Sequence, residues 1–424
     1  MKRLGFVFLL ALAFQSGKLQ LPGGAPPPQG PVDPTTSPLV QAGNLQYAGA
    51  FRLPAGTFGN APPDGGGQSF DLAPAYGLAF NPAGNGGAGS LFISSKENLL
   101  NVAEINIPAP LSETTSKLNT AALIQGFADP SEGRFNKFGM NRIGGLLVAG
   151  PKLIFDGYIF YDATNTQTRS HFIRSTDLSA RGSVQGPFEN SYTTTAGLLD
   201  GYMANVPSAW QALLGGTALT GNCCLSIIGR TSWGPAVFSF TPGDLKDKFP
   251  VRPLAYYTME HPTLGNGTPT TPNSALFTLA DTIRGVVMPD GFRSVLFFGG
   301  HGAGAWCYGN GTADPALDHK RSPDGEIYCY DPPNGAKGQH AFPYRNYVWA
   351  YDARDLAAAA KPHGKQPWNV MPYATWSLTL PNGVNELAGV AYDSARRRIY
   401  VAEKGVEQVG CCAFLPVIHA FDIR

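Results

Sequence analysis

Three arginines stand at comparable places in the chain, each beside a short apolar segment typical of a β-strand. Arg142 and Arg284 come directly before such segments, and Arg230 directly follows one. Guanidinium groups that converge on one point favour a carboxylate, sulfate or phosphate ligand. The alternative is that each arginine pairs with a neighbouring carboxylate, such as Asp281 or Glu386, and only ties structural elements together.

A histidine and a glutamate are the candidates for proton transfer. His301 lies in the run Gly-Gly-His-Gly-Ala-Gly after an apolar segment, and Glu386 lies just before another. Flanking glycines would leave the imidazole exposed, so His301 could act as a general base or a metal ligand. A surface histidine in a turn is the alternative. The glycine run lacks the G-x-G-x-x-G spacing of a dinucleotide site.

Two aromatic residues could contact a flat ligand. Trp210 lies in Pro-Ser-Ala-Trp-Gln-Ala-Leu-Leu-Gly-Gly, which predicts a short helix, and Tyr76 immediately precedes the segment Gly-Leu-Ala-Phe-Asn-Pro. An exposed tryptophan there could stack on a sugar ring. The alternative is that Trp210 packs its helix onto the core.

The six cysteines have an unusual distribution, which an oxidising compartment would convert to disulfides. The simplest pairing joins Cys307 to Cys329 and stabilises a long polar insertion at about residues 299–344. Disulfides within each adjacent pair are the first interpretation of the remaining four. Bridges between the two pairs, zinc binding by the four, and buried free thiols are the alternatives. The adjacent pairs are Cys223–Cys224 and Cys411–Cys412.

Calcium is the one metal that the insertion suggests. Asp314, Asp318 and Asp324 lie there, with Asn310 nearby. Oxygen-rich loops can hold Ca²⁺, although this spacing does not fit an EF-hand loop. Solvated aspartates in a polar loop are the alternative. We predict no other cofactor.

The composition favours many short strands that are joined by tight turns. Charged residues make up 14% of the chain, and 52 glycines and 36 prolines accompany a hydrophobic fraction of 43%. This mixture suits an all-β fold better than long helices. The formal net charge of +1 gives no global field that would attract nucleic acid.

The pattern of the first 44 residues indicates an exported protein. Lys2 and Arg3 precede an apolar run from Leu4 to Phe14, which has the length of a signal-peptide core and is too short to span a bilayer. We assign residues 1–17 to a signal peptide and 18–44 to a proline- and glycine-rich linker. The folded domain is then 45–424, in a secreted or periplasmic protein that is expected to be monomeric and to have no membrane span.

Groups of three apolar strands recur along that domain. Tyr76–Pro82, Ser90–Ser94 and Asn101–Ile107 resemble Ala388–Ser394, Arg398–Ala402 and Val417–Ile423 in residue pattern and turn placement. A looser group is Ala218–Gly221, Leu225–Gly229 and Ala236–Phe240. Because the last group ends at the C-terminus without a fourth strand, we predict that residues Gln46–Arg52 pair with Val417–Ile423.

These repeats resemble the β-propeller superfamily over roughly residues 46–424. The resemblance implies a single propeller of about five blades, closed by the N-terminal strand. It also implies a binding face made by loops before first strands and after second strands. Arg142, Arg230, Arg284, His301 and Glu386 all lie in such loops.

The sequence favours two main classes of function. The first is a binding module for a polar, anionic saccharide-like small molecule or polysaccharide outside the cytoplasm. The second is a hydrolase or lyase acting on an anionic saccharide or lactone-like substrate, in which arginines hold the acid group and His301 or Glu386 moves the proton. An extracellular scaffold or surface protein is a third alternative.

Overall fold

The computed structural model describes residues 33–59, 67–74, 76–112, 117–193, 195–258, 261 and 276–424. The predicted signal peptide and residues 18–32 of the predicted linker lie outside the described residues. Within those ranges, no helix is both long enough and apolar enough to cross a membrane.

In the described residues, twenty-four strands make up most of the regular structure. The first twelve are β1 Leu45–Arg52, β2 Leu78–Asn81, β3 Ser90–Ser94, β4 Val102–Asn106, β5 Leu123–Ala128, β6 Arg142–Ala149, β7 Lys152–Tyr158, β8 Arg169–Ser175, β9 Gln185–Asn190, β10 Met203–Asn205, β11 Ala218–Thr220 and β12 Val237–Phe240. The others are β13 Lys248–Phe249, β14 Val251–Ala255, β15 Thr282–Val287, β16 Ser294–Gly302, β17 Cys307–Thr312, β18 Tyr328–Tyr330, β19 Lys337–His340, β20 Tyr344–Asp352, β21 Ala374–Ser377, β22 Leu387–Asp393, β23 Arg398–Val409 and β24 Ala413–Ile423.

The α-helices are short and lie between strands. They are α1 Arg134–Lys137, α2 Ser208–Leu214 and α3 Ala353–Ala359. The Asp352 carboxylate caps α3 by accepting from the backbone N–H of Arg354. The all-β class predicted from composition is therefore confirmed.

The prediction of a single five-bladed propeller is wrong. The strands form six separate sheets of three to five strands, in the orders β1-β24-β23-β22, β2-β3-β4-β5, β13-β9-β8-β7-β6, β10-β11-β12-β14, β15-β16-β20-β21 and β18-β17-β19. Two departures from a uniform repeat explain the difference. The insertion, which lacked strand signals, folds into its own sheet, and β13 adds a fifth strand by pairing parallel to β9.

The third predicted strand group is also corrected. Its first strand is β10, a three-residue segment that the apolar pattern missed. Ala218–Gly221 therefore corresponds to the second strand, β11, and the predicted strand Leu225–Gly229 does not form. That segment instead leads into a 3-10 turn at Ile228–Arg230.

The pairing of the two ends of the domain is confirmed. β1 runs antiparallel to β24, in a register that runs from Leu45 opposite Ile423 to Arg52 opposite Val417. The partner strand covers the backbone edge that β24 would otherwise expose.

All six cysteines form disulfides, with the pairing that the simplest interpretation predicted. They are Cys223–Cys224, Cys307–Cys329 and Cys411–Cys412. This excludes bridges between the adjacent pairs, a zinc site made from them, and free thiols. Three disulfides fit an extracellular or periplasmic protein.

Five strands bring the functional candidates together. They are β2, β6, β10, β15 and β22, each an edge strand of its sheet, and we call them the five first strands because each begins a predicted or observed strand group. Each packs against two others of this set. Polar side chains gather where these strands begin, and apolar side chains line a cavity where they end. Between sheets, the core is rich in buried rings, among them Trp233, Tyr257, Phe297 and Trp349.

Candidate functional site

A cluster of six polar side chains lies at the amino ends of these first strands, and we call it the Arg284 cluster. Its members come from the residues just before or within β2, β6, β15 and β22, from β23, and from the loop between β3 and β4. They are Tyr76, Glu97, Arg142, Arg284, Glu386 and Lys404.

Ion pairs connect the whole cluster. Glu386 lies between Arg284 and Lys404, with nitrogen–oxygen distances of 3.2 Å and 3.3 Å. Glu97 joins Lys404 at 3.5 Å to Arg142 at 3.7 Å. The Tyr76 hydroxyl donates to Glu97 over 3.1 Å, and the Arg284 guanidinium lies over the Tyr76 ring, 4.1 Å from its centre. The cluster is thus one connected network, in which the two carboxylates are more exposed than the three cations.

The cluster has one more positive charge than negative charges. Burial alone would raise the pKa of Glu97, but Lys404, Arg142 and Arg284 outweigh it and hold that pKa below its ordinary value. Burial would lower the pKa of Lys404, yet Glu386 and Glu97 raise it. Both carboxylates therefore meet cations that stay charged, and the three cations are not fully neutralised. Within the described part of the chain, the Nε atoms of Arg142 and Arg284 have no hydrogen-bond partner.

Four of the residues singled out from the sequence, Tyr76, Arg142, Arg284 and Glu386, thus lie together. Glu97 and Lys404 were not among the residues predicted from the sequence. Each lies just after the second predicted strand of its group, which is also the position of Arg230 and His301. The same positional signal could have found them.

Exposed aromatic rings flank the cluster at Arg142. The Arg142 guanidinium lies 4.7 Å from the centre of the Phe160 ring. Phe160 is 37% exposed and Tyr161 is 66% exposed. Arg230 is buried beneath them, where its Nη2 donates to the backbone carbonyls of Ile159 and Phe160 at 2.9 Å and 2.6 Å. Arg230 thus supports the aromatic loop and makes no ion pair with the Arg284 cluster.

Trp210 lies elsewhere. It is 2% exposed and packs helix α2 into the largest hydrophobic core. Trp210 therefore packs its helix onto the core, as the alternative interpretation predicted, and Trp210 is not part of the candidate site.

His301 forms a separate histidine–aspartate pair. Its Nδ1 lies 2.9 Å from Asp281 Oδ1, and its ring stacks on Tyr347 at 4.7 Å. Asp281 is fixed by Thr278 and by the backbone N–H of Gly302. The expectation of an exposed turn is wrong because β16 continues through Gly302, which leaves His301 only 8% exposed.

The strand register separates this pair from the Arg284 cluster. Gly300 pairs with Thr282, so His301 lies one position beyond the start of β15. Arg284 is three positions further along, which corresponds to about 10 Å at 3.3 Å per residue. No contact joins His301 to Arg142, Arg284 or Glu386 in the described residues, although all four lie toward the same end of the strands, so their sharing one pocket stays a prediction.

Two buried carboxylates lie behind the cluster. A cavity of about 10 Å³, large enough for one water molecule, is lined by Tyr76, Arg284, Gly144 and Asn222, among others. Asn222 donates to Asp200 Oδ1 at 2.7 Å. Burial raises the pKa of Asp200 to about 7 and raises that of Asp156 well above its ordinary value.

Among the described residues, Asp156 has no ion pair with a charged cation. The nearest candidate, His171, donates from Nε2 to the Thr220 hydroxyl and accepts at Nδ1 from Ser170. Burial lowers the pKa of His171 to about 3, so its ring is neutral. One oxygen of Asp156 and one of Asp200 have no partner among the described residues.

The three aspartates of the insertion have separate hydrogen-bond partners in the structure. Asp314 caps a 3-10 turn, Asp318 accepts from the backbone N–H of Tyr330, and Asp324 contacts Ser322 and Asn310. Across the described ranges, no group of three or more His, Cys, Asp or Glu side chains is arranged to hold a metal ion.

Comparisons with known proteins give no assignment. No protein-family model and no curated protein matches the chain. Similar solved structures include a protein from Parabacteroides distasonis named "putative glycoside hydrolase", at 11% identity and a TM-score of 0.40, over 89% of this chain and 98% of that one.

Two further structures are less similar by TM-score. The PQQ domain of pyranose dehydrogenase from Coprinopsis cinerea has 9% identity and a TM-score of 0.35, over 80% of this chain and 81% of that one. A "putative phosphatase" from Bacteroides thetaiotaomicron has 13% identity and a TM-score of 0.32, over 89% and 78%. At these TM-scores the similarities carry no argument about function.

Proposed function

We propose that this chain binds an acidic saccharide at the Arg284 cluster. The observation that carries the proposal is the unbalanced charge, because three cations share two carboxylates in a largely buried network. A ligand carboxylate would complete the network, and bidentate hydrogen bonds from a guanidinium suit that group.

The flanking rings support a sugar as the body of the ligand. Phe160 is partly exposed beside Arg142, and the next residue, Tyr161, is exposed. Exposed aromatic rings can stack on the apolar face of a pyranose. A uronate-containing oligosaccharide offers both a carboxylate and such faces, so we take uronic acids as the ligand class.

Replacing Arg284 with Gln should lower the affinity for a galacturonate trisaccharide by at least about tenfold, because a charge-assisted contact is lost. Isothermal titration calorimetry would measure this, with maltotriose as the neutral reference ligand. Arg321→Gln is the matched control, since Arg321 is exposed and lies in the insertion, outside the cluster. The control should bind galacturonate like the unsubstituted protein.

The opposite charge change sharpens the test. Glu386→Gln removes a carboxylate that competes with the ligand for Arg284 and Lys404, so affinity for the acidic trisaccharide should rise. If Arg284→Gln leaves binding unchanged but lowers the unfolding temperature strongly, Arg284 is structural and the proposal fails. If neither saccharide binds the unsubstituted protein, the scaffold alternative is favoured.

The His301–Asp281 pair favours general-base chemistry as a second candidate function. The Asp281 carboxylate accepts a hydrogen bond from Nδ1–H of His301, which leaves Nε2 as the basic nitrogen. Cleavage of an acidic oligosaccharide would then depend on His301. We expect His301→Asn to lower the cleavage rate at least about 100-fold, the usual contribution of a general base.

Asp281 should act as a positioning residue in that reaction. Asp281→Asn should lower the rate and also shift its pH profile, a readout that loss of stability alone would not give. His363→Asn, at an exposed histidine, is the control and should leave the rate unchanged. Product release measured as reducing ends or as ultraviolet absorbance of an unsaturated product would detect hydrolysis or elimination. Full activity in His301→Asn would exclude this candidate.

A further inference from the structure

A second cavity lies at the opposite ends of the five first strands. Its volume is about 210 Å³, and an apolar cavity of about 150 Å³ is enough to bind benzene. The carboxyl-terminal parts of β2, β6, β10, β15 and β22, and the residues that follow, contribute the lining. Representative lining residues are Leu78, Phe80, Leu146, Val148, Met203 and Met288.

The lining contains a single charged residue. Asp290 follows β15, and its backbone N–H donates to the Tyr392 hydroxyl at 3.2 Å. The mouth is open to solvent, because the lining residues Pro82 and Ser394 are exposed while Asp290 is half-buried.

No cation of the chain pairs with Asp290 in the described ranges. The nearby Arg397 guanidinium instead lies over the Phe292 ring, 5.3 Å from its centre. Burial raises the pKa of the Asp290 carboxyl, with smaller opposing contributions from Tyr392 and Arg397. The carboxylate is therefore available to a cation that arrives with a ligand.

We propose that this cavity binds a compact apolar amine, with the hydrocarbon body among the aliphatic side chains and the ammonium group at Asp290. The cavity volume limits the hydrocarbon body of the ligand to about one aromatic ring. The Asp290 carboxylate, the single charged group of the lining, favours a ligand with a positive charge. This site lies at the far ends of the strands from the Arg284 cluster, and its ligand is of the opposite charge.

Three ligands of nearly equal size test the proposal on the unsubstituted chain. Calorimetry at pH 8 would compare 2-phenylethylamine, 2-phenylethanol and 3-phenylpropionate. We expect one amine to bind per chain, at least about tenfold more tightly than the alcohol, with the acid weakest. Absence of binding by all three, or an acid that binds as tightly as the amine, would overturn the proposal.

Two variants then locate the site. Asp290→Asn should lower amine affinity at least about fivefold and leave alcohol affinity unchanged, whereas Asp244→Asn, at an exposed carboxylate, should change neither. Ala204→Leu enlarges a lining residue and should weaken the amine and the alcohol together. Ala316→Leu, at an exposed alanine, is its control. Amine binding that survives both cavity variants would place the ligand elsewhere and refute the proposed site.

Discussion

Replacing Asp200 with Asn should raise the free energy of unfolding at pH 8 by about 4 kcal/mol and leave it nearly unchanged near pH 4. Burial raises the pKa of this carboxyl from 3.8 to about 7 in the folded protein, with Asn222 and Arg230 opposing the shift. One pKa unit corresponds to about 1.4 kcal/mol. The folded state therefore holds the proton more tightly than the unfolded state does.

The sign of the pH dependence follows directly. Below about pH 4 the Asp200 carboxyl is mostly protonated in both the folded and the unfolded state, so it does not lower the free energy of unfolding. Stability then falls as the pH rises toward 7, because the unfolded chain releases its proton while the folded chain must either keep it or hold a buried charge. An amide at position 200 keeps an oxygen for the Asn222 contact and removes this dependence.

Denaturant unfolding of the two proteins at several pH values from 4 to 8 would measure the effect. The difference between Asp200→Asn and the unsubstituted protein removes the contributions of distant groups and keeps that of Asp200 together with its coupling to Asp156, whose pKa is raised by burial and by the Asp200 charge. Asp244→Asn, at an exposed carboxylate, serves as the control. A difference that does not change with pH would contradict the prediction.

Replacing Gly144 with Ala should destabilise the protein by about 3 kcal/mol. A Cβ atom there would overlap the carbonyl oxygen of Asp200 and the Asp156 carboxylate. The backbone at Asp200 cannot move without shifting the strands that hold it. The clash therefore costs more free energy than a clash with a flexible side chain, which could move away. Gly144 lies in an irregular part of the β6–β7 pairing, two residues after Arg142.

The glycine variant therefore couples stability to the proposed binding site. A shift of β6 would move Arg142 relative to Glu97, so galacturonate binding should weaken along with the unfolding free energy. Gly243→Ala is the control, because a Cβ there meets no atom within 4 Å, and it should change stability by less than about 0.5 kcal/mol. Equal free energies of unfolding for the two variants, measured with denaturant, would contradict the prediction that a Cβ atom at position 144 clashes with its surroundings.

Local pattern was enough for several features of this protein. Short apolar segments between Gly, Pro, Asn and Asp residues indicate strands and turns, and the all-β class follows from them. The pairing of β1 with β24 followed from a missing fourth strand. The three disulfides followed from adjacency and from the need to stabilise the insertion.

The number of sheets could not be predicted in the same way. The three-residue strand β10 is too short to give a periodic signal. Strands β17–β19 are polar and rich in glycine, and they form because a disulfide and long-range pairing hold them together. Pairing of this kind depends on distant segments, so intrinsic preference is a poor guide to it.

The sequence by itself determined which residue types stand at the ends of the strands, and so it singled out Tyr76, Arg142, Arg284 and Glu386. Only the tertiary structure decided which charges meet. It brought Glu97 and Lys404 into the Arg284 cluster, joined His301 to Asp281, and buried Asp156 and Asp200, each with one carboxylate oxygen that has no hydrogen-bond partner in the described part of the chain. The reason is physical: strand position is encoded by local periodicity, whereas ion pairs and desolvation depend on the packing of segments that are far apart in the chain.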